Sequence, residues 1–142
     1  MSIESNKAVA RRFVQDVMVH LDEAAADQVI AEDFTSNTWK SVPSGREALK
    51  TAMQRIGAGL SDVRMDVEDV IAEGDQVVIR LVASATHKGD FMGMPTTGKS
   101  YRIGEIHIVR IKNDQVVEHW HQADMLGLMQ QLGAGERNGG TA

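Results

Sequence analysis

The chain contains no cysteine, which excludes a disulfide framework, thiol catalysis and any cysteine-ligated zinc site. It also lacks a cluster of lysine and arginine. With a formal net charge of −5, a nucleic-acid groove would have no electrostatic footprint, so no such partner is expected. No apolar run nears the length of a membrane span. The opening MSIESNKAVARR has no apolar stretch of the kind a secretory signal needs, and a cytoplasmic location is expected. Gly57, Gly59, Gly133 and Gly135 are isolated pairs and not a phosphate loop, so a nucleotide cofactor is not expected either. What is present is ordinary: 142 residues, 42% hydrophobic and 25% charged, enough to bury one sizeable core. The reading is one domain over residues 1–133, followed by a Gly-rich, disordered tail over 134–142.

The first third has helical spacing. Ser5 or Asn6 can cap a helix in which Val9, Phe13, Val17 and Leu21 recur every fourth residue. A short second helix is expected over 22–31 and an aperiodic loop over 33–44. Ser44 and Glu47 then suggest a capping box for a third helix, ended by Gly57 and Gly59. After Leu60 the period changes to two, with Val63, Met65 and Val67 alternating against Arg64, Asp66 and Glu68. A second such run follows Glu73-Gly74-Asp75, then a turn-rich loop over 88–98. A last helix from Met125 has Asp124 as its cap and Gly133 as its stop. Helices first and then a four-stranded antiparallel meander make an α+β fold, and a strongly twisted sheet covered by helices encloses a cone-shaped pocket.

Residues 104–124, GEIHIVRIKNDQVVEHWHQAD, hold three of the five histidines. Tyr101, Ile103, Glu105, His107, Val109 and Ile111 share one face of a strand, and that face is assigned inward because it carries no Arg. The turn decides which face of the next strand joins it. A three-residue loop, Lys112-Asn113-Asp114, sets His107 against His119 and Glu105 against His121. A two-residue Asn113-Asp114 loop pairs His107 with Trp120 and turns both later histidines outward. The first is favoured, since it gathers carboxylate and imidazoles across one hairpin.

Several segments together resemble the SnoaL-like polyketide and ester cyclases, of the NTF2-like cone fold. They are THKGDFMGMPTTGK at 86–99, His107-Ile108-Val109-Arg110-Ile111, Glu118-His119-Trp120, Asp124, and Leu132-Gly133, within a similarity covering about residues 5 to 133. The resemblance implies closure of a polyketide ring by intramolecular aldol condensation without cofactor or metal. It also implies an acid/base aspartate on the last strand. Ungapped alignment puts His121 at that position, so either His121 has taken the role, or Asp124 serves from three residues on, or the chemistry differs. The family's usual turn Gly is replaced here by Asp114.

On this reading His121 removes and returns a proton, His107 and His119 donate hydrogen bonds to developing negative charge, and Glu105 orients His121. Asp124 is weighed as acid/base against a plain helix cap. Phe13, Trp39, Met53, Tyr101 and Met92 are the candidate substrate contacts, and the eight methionines suit a pocket that adapts to an apolar, polyketide-like molecule. Glu105 and the three histidines are also metal-ligand types, though a metal is not the expectation. His87 is read as holding its loop and His20 as matching a helix C-terminus. Two other classes stay open: another enzyme on the same scaffold (isomerase, dehydratase, hydrolase or pericyclic cyclase), or a binding protein without turnover. Ile106, Ile108 and Trp120 on the outer sheet face predict a homodimer.

Overall fold

A computed structural model describes residues 2–37, 44–91 and 93–133. The first helix, α1 (Ile3–Arg12), begins earlier than expected. Ser2 is its cap: the Ser2 hydroxyl accepts from the Ser5 backbone N–H at 3.0 Å, and Ser5 returns the bond to the Ser2 N–H. Asn6, a predicted cap, is instead buried inside the helix. The helix then widens into a π-helical segment, Phe13–Val19, closed by the His20 N–H on the Gln15 carbonyl at 3.1 Å. A wider turn suits an apolar repeat of four better than the α-helical 3.6 does. It buries Phe13, Val14, Val17 and Met18 together.

The helix α2 (Glu23–Val29) is capped by Asp22. It stops two residues short of the expected end because Ile30 and Ala31 enter a strand, β1 (Ile30–Ser36). This is the main correction to the sequence reading, which made 33–44 a loop. The strand was illegible because a register shift between Ile30 and Thr35 breaks its alternation. The helix α3 (Arg46–Ala58) starts from Gly45 at φ +112°, whose N–H donates to the Phe34 carbonyl at 2.7 Å, so the Ser44 capping box does not form.

Four longer strands follow: β2 (Leu60–Glu73), β3 (Gln76–His87), β4 (Ser100–Lys112) and β5 (Gln115–Ala123). They form the expected antiparallel meander, but β1 adds a parallel edge beside β5, giving a five-stranded mixed sheet in the order β1-β5-β4-β3-β2. The helices cover its inner face, where Ile79, Leu81, Ile103, Val109 and Ile111 are buried. The last helix, α4 (Met125–Gln131), is capped by Asp124, whose carboxylate accepts from the Gly127 N–H at 2.8 Å. Where β5 has ended, the Gln131 amide takes a strand's place beside β4, bonding both the N–H and the carbonyl of Arg102.

The hairpin has the two-residue turn of the second arrangement, but its pairing beyond that turn follows neither. Asn113 (φ 52°) and Asp114 (φ 60°) form a two-residue turn with Lys112 paired to Gln115. Two positive φ values are what the right-handed strand twist favours in a tight hairpin. A bulge then inserts one extra residue: Ile111 pairs with Val116, but Arg110 pairs with Glu118. Beyond the bulge His107 faces His121, and Glu105 faces Ala123. The expected pairs were therefore wrong, while the inward address of His119 and His121 is right. The bulge at Val117 supplies the residue that a three-residue turn would have supplied.

Candidate active site

A cavity of about 580 Å³ lies between the sheet and the ends of the helices. Its walls are mostly apolar, including Met18, Met53, Leu60, Met65, Phe91 and Ile103. The hairpin adds a polar cluster, Glu105 and His107 from β4 and His121 from β5, while His20, Ser61, Asp62, Arg64 and Ser84 line the cavity elsewhere. Period two puts Tyr101, Ile103, Glu105 and His107 on one face, and the bulge turns His121 toward them.

Glu105 is the hub. Its Oε1 accepts from His107 Nε2 at 2.8 Å and lies 3.6 Å from His121 Nε2. On the far side, His107 Nδ1 is 2.9 Å from His119 Nε2. The three imidazoles are stacked, with His107 to His121 at 4.5 Å and His107 to His119 at 5.2 Å between ring centres. His119 is fully buried, packed edge-on to Phe13 and face-on to Phe34, and does not line the cavity.

Burial decides the charge of these rings. The His121 pKa is lowered to about 4, chiefly by desolvation and then by the neighbouring His107, with Glu105 opposing. His119 is pushed well below the ordinary value for the same first reason. Both are therefore neutral near pH 7. Tyr101 is pushed up to about 12 by burial and by the Glu105 charge, so it lines the cavity as a hydrogen-bond donor.

Glu105, His107 and His121 have donor atoms within 4.8 Å of one another, the composition of a two-histidine, one-carboxylate metal site. The ring planes argue against that use. They are stacked, 4.5 Å apart at only 22°, so the two planes that hold the nitrogen lone pairs do not meet at a point ~2 Å from each ligand. As it stands, the cluster is arranged for hydrogen bonding.

A family model of SnoaL-like polyketide cyclases matches residues 8–132. The chain belongs to this family. It is 31% identical over 129 residues to the aklanonic acid methyl ester cyclase DnrD of Streptomyces peucetius, covering 88% of each chain. Among solved structures it is similar to TsrD from Streptomyces laurentii, with TM-score 0.86 and 26% identity over 94% of this chain and 98% of the other. IdmH from Streptomyces antibioticus follows the same fold with TM-score 0.77 and 26% identity, over 90% of this chain and 98% of that one.

Within this SnoaL-like frame the candidate residues separate. Glu105, His107 and His121 meet at the cavity, and Met53 and Tyr101 line it. His119 stands behind His107, so it cannot donate to a substrate directly. Asp124 is exposed and occupied as a helix cap, outside the cavity lining. Phe13 is core and not a wall of the cavity, because the π-helical segment turns it onto His119. Trp39 and Met92 lie outside the described residues. His87 bonds Thr97 through Nδ1 at 2.9 Å and ties down the β3–β4 connection, while His20 lies on the cavity rim.

The sequence reading missed the contributions of Met18, Leu21, Ile56, Leu60 and Met65. For Met65 the period-two signal was available; for the helix ends, the direction of approach to the sheet is a tertiary property with no local signature.

Proposed function

We propose that this SnoaL-like protein closes a ring in an apolar, polyketide-like substrate by cofactor-independent acid/base catalysis. Neutral His121 removes a proton from a carbon flanked by carbonyl groups. The resulting enolate carbon attacks a second carbonyl of the same molecule, forming the carbon–carbon bond, and the alkoxide takes its proton back from His121. The lowered pKa suits the return step, since an imidazolium formed in this desolvated wall is a strong acid. Glu105, 3.6 Å away, offsets the charge while it lasts. His107 is a donor that holds Glu105 in place and borders the substrate space.

The observation that carries this reading is the titratable cluster Glu105–His107–His121 on one wall of a mostly apolar cavity of about 580 Å³. The cyclase names of the relatives support it. The test is incubation with aklanonic acid methyl ester and related polyketide esters, after exhaustive chelation, with products resolved by mass spectrometry and NMR. A cyclised isomer of unchanged mass is expected; no turnover of any such ester, or turnover only with added metal, would contradict it. The reading also includes a cytoplasmic homodimer paired through the outer sheet face, where Ile106 is 46% exposed beside half-buried Ile108 and Trp120. Among the described residues no helix is long and apolar enough to cross a membrane.

A further inference from the structure

We infer that His119 is a positioning residue: it locks the tautomer of His107 so that His107 donates to Glu105 and holds that carboxylate beside His121. This rests on the acid/base reading above and deepens it. Which atoms can carry protons fixes the direction of each bond. An ionised carboxylate only accepts, so the 2.8 Å contact requires a proton on His107 Nε2. A neutral His107 then has a bare Nδ1, and the 2.9 Å contact to His119 Nε2 must be donated by His119. Donation therefore runs one way, from His119 to His107 to Glu105.

The arrangement is a lock and not a proton wire. Moving each proton one step toward Glu105 would leave His119 as an anion. His119 is fully buried between Phe13 and Phe34, where an uncompensated charge is costly. Without the His119 donor, Nδ1 of His107 would lose its partner, and the tautomer would be held from the Glu105 side alone, with the other one, its proton turned from Glu105, less disfavoured. The carboxylate would then lose a hydrogen bond that holds it oriented.

The test uses the whole protein, with nitrogen-15 spectra of the histidine rings at pH 8, where an ordinary imidazole carries one proton. In the wild type His107 should show a single tautomer protonated at Nε2. His119→Phe keeps a flat ring between the two phenylalanines and removes the donor; it should give mixed His107 tautomers. It should also lower kcat by about 10- to 100-fold at similar KM, as for other outer partners that orient a histidine. His119→Gln, which restores an N–H donor, should recover the single tautomer and most of the rate. A wild-type His107 protonated at Nδ1 or at both nitrogens would overturn the inference. So would an unchanged tautomer in folded His119→Phe. If no ring closure can be measured with any substrate, the spectra alone decide the lock, apart from the fate of the cyclase reading.

Discussion

Acidification from pH 7.5 to 5.0 should destabilise this protein through its buried imidazoles. The pKa of His121 is about 4 in the folded chain, against 6.5 for an ordinary histidine. Between those values the unfolded chain binds more protons, so stability rises with pH. The contribution is complete above about pH 6.5 and is lost as pH falls toward 4. For one group with these two pKa values, the loss at pH 5.0 is on the order of 2 kcal/mol. His119 is lowered in the same direction and steepens the fall. Against a usual total of about 5–15 kcal/mol, that is a large fraction. Urea denaturation at the two pH values should show the midpoint falling by roughly 1 M, taking about 2 kcal/mol/M for the slope. His121→Gln, which cannot take up the proton, should flatten the dependence. A midpoint unchanged between the two pH values, or a His121→Gln variant with the wild-type pH slope, would refute the assignment of buried, neutral rings.

Other outcomes follow from the same geometry. Asp124→Ala should lose about 1 kcal/mol of stability by denaturant titration, the cost of a helix cap, with turnover nearly intact. Tyr101→Phe removes a donor from the cavity without changing its shape, and should raise KM more than it lowers kcat in steady-state assays. A charge on the outer face, as in Ile106→Lys, should convert a dimer into monomers by light scattering without loss of fold. Overnight chelation should leave ring closure unchanged; activity lost on chelation and regained with zinc would mean that the imidazole planes rotate to converge on a metal.

Much of this arrangement was legible along the chain, and the reasons are local. Tyr101, Ile103, Glu105 and His107 share a face by strict alternation, so their address needed no partner. The cap at Asp124 was equally local. What failed was non-local or broken in period. The edge strand β1 loses its alternation at a register shift, and its pairing partner lies some eighty positions away. The bulge after Val116 has no sequence signature, yet it reverses the facing that the two-residue turn alone would impose. Two errors cancelled there: the loop was shorter than expected, and the strand carried the extra residue. His119 and His121 share the inward side, but β1 and the π-helical segment bury one of them completely and leave the other at the cavity, which alternation could not distinguish.

Single-turnover ring closure by His121→Ala tests the acid/base role of His121 most directly. Loss of a positioned proton-transfer group should slow the step by ~100- to 10,000-fold, with substrate binding little changed. The residual reaction should no longer fall as pH drops through about 4, the value the wild-type imidazole sets. A folded His121→Ala protein that closes the ring at near the wild-type rate would contradict the central claim and move the chemistry away from the Glu105–His121 wall.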